Sequence, residues 1–162
     1  MGRIVFLNPF ERGAISGGIK TAYRHAELLA EMGFDASVYQ PEGVPSWFET
    51  SAKVLRSLSA PAPGDVLVFP EAINGPLVEL ARTKTPATKV LFCQAQYYAL
   101  FNAIPPEEFR ALFDRAACQS ALAKGFIGLV KMMRVGGTSD FSDYRKFTVG
   151  TSTSYTAKAP QQ

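Results

Sequence analysis

Apolar residues along this chain fall into short dense runs and longer spaced ones, and the two kinds alternate. Residues 3–7 (RIVFL), 35–40 (DASVYQ), 65–69 (DVLVF), 88–93 (TKVLFC) and, more weakly, 115–119 (RAACQ) are the short runs. They are too brief and too uniformly apolar for solvated hairpin strands and match strands buried on both faces of a parallel sheet. Between them the spacing is helical. Residues 19–32 (IKTAYRHAELLAEM) place Ala22, Ala26, Leu29 and Ala30 on one side and stop at Gly33, the position where helices commonly end on glycine. Residues 76–83 (PLVELART) open with a proline, and residues 105–114 (PPEEFRALFD) with two prolines and two glutamates, as helix N-termini favour. Strands alternating with helices form βαβ units joined right-handedly. The expected fold is an α/β three-layer sandwich with a Rossmann-like, mostly parallel sheet.

Two zones fit that alternation less well. Residues 41–64 contain a turn, a short apolar stretch over 49–58 that reads as a helix, and a proline-rich linker. From Arg134 the chain is rich in Ser, Thr and Gly, with only KFTV suited to a strand and a final segment expected to be disordered. The pattern therefore predicts a domain over residues 1–133 followed by a partly disordered tail over 134–162.

Composition narrows the function classes. The 162 residues include 47% hydrophobic and 12% aromatic side chains, enough for the core of one domain. The net charge of +3 comes from 17 basic and 14 acidic residues scattered along the chain. No basic block of the kind that follows a nucleic-acid backbone is present, so nucleic acid is not an expected partner. Cys93 and Cys118 sit in apolar contexts without metal-knuckle spacing, which predicts two buried thiols in a reducing compartment. The apolar run in MGRIVFLNPF is too short for a signal-peptide core. Nothing approaches the roughly 20 apolar residues of a transmembrane helix. A cytoplasmic protein is expected. The sequence suggests no metal-ligand cluster and no cofactor.

The candidate chemistry gathers where the strands end. After the first run, NPFERGAISGG forms a loop at the carboxyl edge of the sheet, and Gly17-Gly18 opens the first long helix. Open α/β sheets bind ligands at that edge, and a helix N-terminus favours anions. One reading has a phosphate or sugar approaching the bare backbone at Gly17 and Gly18, with Lys20 or Arg12 adding charge. The other has the pair permitting a positive-φ turn, with Ser16 as N-cap. The spacing is not GxGxxG, and no acidic residue ends the second strand, so a nicotinamide dinucleotide site is a poor match. The third run closes on Phe69-Pro70-Glu71 and then Asn74-Gly75, and the fourth on Gln94, Gln96, Tyr97 and Tyr98, followed by Phe101 and Asn102. Rings that cover a sugar's C–H face and amides or carboxylates that bond its hydroxyls would suit saccharide binding. Glu71 capping the next helix, and Tyr97 and Tyr98 packing beneath the loop, are the structural alternatives. His25, the single histidine, reads as a helical surface residue, which leaves no Ser-His-Asp or Cys-His arrangement. Trp47 and Phe48 form either an exposed contact patch or a cover for the sheet edge.

The segments GRIVFLNPF, SGGIKTAYRHAELLAEMGFDASVY, GDVLVFPE and TKVLFCQAQYYALF resemble the N-terminal Rossmann-like domain of GT-B glycosyltransferases of the retaining type, a group with many bacterial polysaccharide and lipopolysaccharide transferases. The resemblance covers about residues 2–130, with RAACQSALAKGFIGLV similar to the fifth strand and following helix. It implies transfer of a hexose or deoxyhexose from a nucleotide sugar to a saccharide or lipid-linked acceptor, peripheral at the inner membrane surface. It implies that Gly17 and Gly18 face the donor diphosphate. The rim after the fourth strand, which in the family often carries a histidine, holds Gln94 and Gln96 here. In that family a second Rossmann domain makes most nucleotide-sugar contacts. The resemblance therefore implies a partner domain in cis or trans, with this chain inactive alone. A non-catalytic saccharide- or protein-binding domain of the same fold is the alternative.

Overall fold

The structure, a computed structural model, describes residues 2–94, 104, 108–118 and 148–151. Among the described residues, seven strands form one sheet: β1 (Ile4–Leu7), β2 (Ala36–Tyr39), β3 (Val54–Leu55), β4 (Val66–Pro70), β5 (Thr88–Cys93), β6 (Arg115–Cys118) and β7 (Thr148–Thr151). Helix α1 (Gly17–Glu31) joins β1 to β2, α2 (Pro76–Arg82) joins β4 to β5, and α3 (Phe109–Leu112) precedes β6. Every pairing is parallel, and the sheet order is β3-β2-β1-β4-β5-β6-β7. The first five strands thus take the 3-2-1-4-5 order of a Rossmann-like α/β sheet, as expected.

This order explains where the helices go. The chain leaves β1 toward β2 on one side, then returns to pair β4 with the other edge of β1. If both crossovers keep one hand, α1 and α2 must cover opposite faces. The buried side chains divide accordingly. Phe6, Val38, Val68 and Phe92 pack with Ile19, Tyr23 and Ala26 of α1. Val5, Leu7, Leu67, Phe69, Leu91 and Cys93 pack with Leu77 and Ala81 of α2 and with Ile104 and Phe113. Alternate residues of each strand therefore enter different cores, which is why the strands read as nearly continuous apolar runs. Each large side chain so buried stabilises the fold by about 1.5–3 kcal/mol.

Helix α1 starts and stops by identifiable means. Ser16, in extended conformation, accepts a hydrogen bond from Gly18 N–H at 3.2 Å as N-cap. At the other end Gly33 adopts φ +89°, so that its N–H reaches Ala30 C=O and the N–H of Phe34 reaches Leu29 C=O, a Schellman stop. The buried stripe is Ile19, Tyr23 and Ala26, with Ala22 and Leu29 beside it. Ala30, expected on that stripe, is exposed in the last turn of the helix. At the C-terminus of α2 the buried Lys89 ammonium donates to Ala81 C=O and Thr83 C=O, both at 2.6 Å, satisfying carbonyls the helix leaves open. Burial lowers the pKa of this lysine, with Asp114 opposing.

The expected helix over 49–58 does not form. Glu27 of α1 accepts hydrogen bonds from Thr50 Oγ1 at 2.7 Å and Ser51 N–H at 2.9 Å. The segment beyond runs extended as β3, and carbonyls of Lys53 and Leu55 take the N–H groups of Val38 and Gln40. Completing the open edge of β2 outweighs the local helical spacing. Trp47 and Phe48 are partly buried rather than displayed: the Trp47 indole donates to Ala14 C=O at 3.0 Å, and Phe48 stacks edge-on against Tyr23. The predicted helix over 105–114 is found as Phe109–Leu112, with residues 105–107 outside the described residues. In the tail, β7 overlaps the KFTV segment. Residues 134–147 and 152–162 lie outside the described residues. Among the described residues, no helix is long and apolar enough to cross a membrane.

Candidate functional site

A cleft of about 500 Å³ opens at the carboxyl edge of the sheet. It lies where β1 and β4 part, the position at which the strand order reverses and open α/β sheets take ligands. Its wall on the β1–α1 side comes from Phe10, Ala14 and the first turn of α1, and its other side from Glu71 beyond β4 and Gln94 beyond β5. Phe92 and Val68 form part of its base. The lining is mostly apolar, with hydrogen-bonding groups concentrated at Asn8, Ser16, Thr21, Glu71 and Gln94.

Gln94 and Glu71 are fixed in relation to the helix start. The Gln94 side-chain amide donates to Gly18 C=O at 3.2 Å, tying the end of β5 to the first turn of α1. The Gln94 backbone N–H donates to the Glu71 carboxylate, which is only 6% exposed. With the amide nitrogen committed to Gly18, Gln94 Oε1 is left on the accepting side of the group. Glu71 and Gln94 together give this part of the cleft acceptor character.

The two glycines are not there for a left-handed turn. Positive φ occurs at Gly33, Gly43, Gly64 and Gly75, whereas Gly17 and Gly18 lie in the first helical turn. The positive-φ reading is therefore wrong, although the Ser16 cap that accompanied it is present. A Cβ built on Gly17 meets nothing within 4 Å. One built on Gly18 touches the Gln94 amide and Ser16 Oγ at 3.4–3.5 Å, ordinary contact. Neither backbone strain nor crowding accounts for glycine at Gly17, which lines the cleft.

The loop from β1 to α1 is held by a buried polar network that the sequence pattern did not single out. Gln40, wholly buried at the end of β2, accepts from Asn8 Nδ2 at 2.7 Å and from the Tyr23 hydroxyl at 2.6 Å, and donates to Phe10 C=O at 3.2 Å. Asn8 Oδ1 accepts from Phe10 N–H at 3.2 Å. Burial pushes the Tyr23 pKa up to about 12, keeping its hydroxyl a donor. Among the described residues, no buried side-chain polar atom is left without a hydrogen bond. The signal in the sequence was an amide at the end of each of two apolar strand runs, Asn8 after RIVFL and Gln40 closing DASVYQ.

The structure thus brings Gly17, Gly18, Glu71 and Gln94 to one cleft. It does not bring Lys20 or Arg12 there. Both are exposed outside the lining, and the Arg12 backbone N–H donates to Glu42 at 2.9 Å. Glu71 is on the sheet edge beside Gln94 rather than capping α2, whose N-cap is Gly75. Asn74 and Gly75 are exposed and not part of the lining. Gln96, Tyr97, Tyr98, Phe101 and Asn102 lie outside the described residues. His25, expected on the surface, is half-buried, its ring edge-on to Phe92 at 5.1 Å and its Nδ1 2.8 Å from Thr21 C=O. The apolar base of the cleft extends beneath α1 and gives the imidazole rings to pack on. Cys93 is buried, as expected, and Cys118 is placed on β6 with no description of its side chain. No protein-family model, curated protein or solved structure matches this chain.

Proposed function

We propose that this chain is the acceptor-side domain of a glycosyltransferase, its cleft holding a saccharide or the saccharide head of a lipid-linked acceptor. The observation that carries the reading is the cleft itself: aromatic and apolar walls, an acceptor pair at Glu71 and Gln94, and a helix start left open above Gly17. Sugar hydroxyls both donate and accept, so one ring can meet the carboxylate and amide on one side and first-turn N–H groups on the other. Phe10 and Phe92 offer rings to its C–H face. A hexose or deoxyhexose would come from a nucleotide sugar, whose anomeric C–O bond to the diphosphate breaks as a bond to the acceptor hydroxyl forms. Among the described lining residues Glu71 is the sole ionisable group, so neutralising the departing diphosphate falls to a second domain, in cis or trans. The Gly17 amide at the helix start is the contribution this chain can make there.

Binding without transfer is the second reading, favoured by the absence of a cation among the described lining residues. Two measurements separate them. Calorimetric titration of the 162-residue chain should show methyl hexosides binding without any requirement for nucleotide. Deleting the gene in its native cell should then abolish transfer of labelled sugar from a nucleotide sugar to extractable acceptors. Saccharide binding with transfer unchanged by the deletion supports the non-catalytic domain, and absence of saccharide binding removes both.

A further inference from the structure

We infer that the cleft takes an aryl group, the aromatic aglycone of the acceptor sugar, packed against Phe10. This rests on the saccharide reading and names the class of acceptor within it. Asn8 donates to Gln40 Oε1 at 2.7 Å and accepts from Phe10 N–H at 3.2 Å. Ser16 Oγ accepts from Gly18 N–H, and Thr21 Oγ1 donates to Gly17 C=O at 2.8 Å. Glu71 accepts from the Gln94 backbone N–H, and Gln94 Nε2 donates to Gly18 C=O at 3.2 Å. Every polar side chain among the described lining residues thus already has a partner inside the protein. A sugar lying wholly in the cleft would exchange water for groups whose bonding capacity is largely taken, and each hydroxyl left unpaired weakens binding. An apolar body carries no such cost.

Aromatic side chains decide which apolar body fits. Phe10, in the cleft wall, is 36% exposed, and its backbone is held on both sides, the N–H by Asn8 Oδ1 and the C=O by Gln40 Nε2 at 3.2 Å. A large ring displayed from a pinned backbone is organised in advance for something to cover it. In the same lining, Phe92 stands edge-on to Phe6 with ring centres 6.3 Å apart. A flat ligand ring can join such a group and gain more than its buried area alone supplies. An alkyl chain would bury comparable area but must freeze its rotatable bonds to do so. The small side chains Ala14, Ala22 and Ala72 help leave a space of about 500 Å³, room for an aromatic ring beside one hexose. The sugar then sits by the Gln94 amide and the first turn of α1, with its aryl group on the apolar wall. Phe10 is thus placed as a specificity-determining residue for the aglycone.

The test titrates the full chain with methyl, hexyl and phenyl glucosides by calorimetry, the hexyl and phenyl aglycones being matched in carbon number. Phenyl glucoside should bind at least about tenfold more tightly than methyl glucoside. It should also bind more tightly than hexyl glucoside, with nuclear Overhauser contacts from its ring protons to Phe10 and Phe92. Phe10→Ala should weaken phenyl glucoside binding. Ile15→Ser should not, because Ile15 is an exposed side chain of the same loop outside the lining. The wild-type ranking stands alone, so a variant that fails to fold does not rescue the inference. Equal weakening in the two variants would assign binding to adhesion on the loop surface and overturn it. Equal binding of phenyl and methyl glucosides, or hexyl glucoside binding as tightly as phenyl, overturns the aryl class and leaves the saccharide reading intact. If no glucoside binds, the saccharide reading itself is lost, and the aryl class with it.

Discussion

A methyl group on Gly2 would lie 1.8 Å from the carbonyl oxygen of Gly64, whereas one on Gly17 would meet nothing. These two glycines are needed for opposite reasons, and substitution separates them. Gly2→Ala must push two backbone segments apart and is expected to destabilise the fold by about 3 kcal/mol, read from the denaturation midpoint. Gly17→Ala sits in helical conformation in open space, so it should raise stability by about 0.5–1 kcal/mol. If Gly17 keeps the cleft open for ligand, the same change should weaken saccharide binding, an outcome that stability alone cannot mimic. Gain of stability with unchanged saccharide affinity would show that the glycine has no ligand-facing role. From the sequence, Gly17-Gly18 announced a special backbone, but φ cannot be read from letters. The glycine packed against another strand's entry, Gly2, carried no local signal at all, since its neighbour Gly64 is distant in the chain.

The elements themselves were largely legible where both faces of a strand are buried. Apolar density marked β1, β2, β4 and β5 within a residue or two, and Gly33 marked the end of α1. The exception, β3, is two residues long and exists because β2 has an edge to complete. A partner set by tertiary position leaves no period in the sequence. The polar anchors were hidden for the same reason: Gln40 matters through Asn8 and Tyr23, which approach it from two other elements. Tyr23→Phe should cost about 1 kcal/mol, since Gln40 Oε1 keeps its bond from Asn8. Gln40→Leu removes the bonds to Asn8, Tyr23 and Phe10 together. Amide hydrogen exchange in the loop from Asn8 to Ser16 should accelerate markedly in this variant, and only slightly in Tyr23→Phe. Equal protection in the two would mean that the loop is held by packing, not by this network.

Across the whole molecule, charge is placed at opposite ends of the sheet with different consequences. At the amino edge, away from the cleft, Asp65 is 3% exposed and accepts from Arg3 N–H at 2.9 Å, from its guanidinium and from Ala62 N–H at 3.0 Å. The bonds from Arg3 hold the Asp65 carboxyl well below the usual carboxylate range. Its contribution is therefore complete above the unfolded-state pKa of about 4 and is lost as pH falls below it. Asp65→Asn should cost about 2 kcal/mol near neutrality and flatten the acid limb of the stability curve. A wild-type acid limb retained in this variant would assign acid sensitivity to other carboxylates. Tyr23 sets the alkaline side: raised to about 12, it contributes fully below the unfolded-state value of about 10 and loses that contribution as pH rises through about 12.

The carboxyl edge holds the cleft, and the reading of the molecule as a saccharide-binding domain depends on what enters it. Amide chemical-shift mapping of the labelled chain during titration with methyl glycosides tests this most directly. The account predicts saturable shifts confined to the first turn of α1 at Gly17 and Gly18, to Glu71 and to Gln94, with the amino-edge amides around Asp65 unmoved. Saturable shifts elsewhere on the surface, or none at any concentration that spectra tolerate, would contradict it.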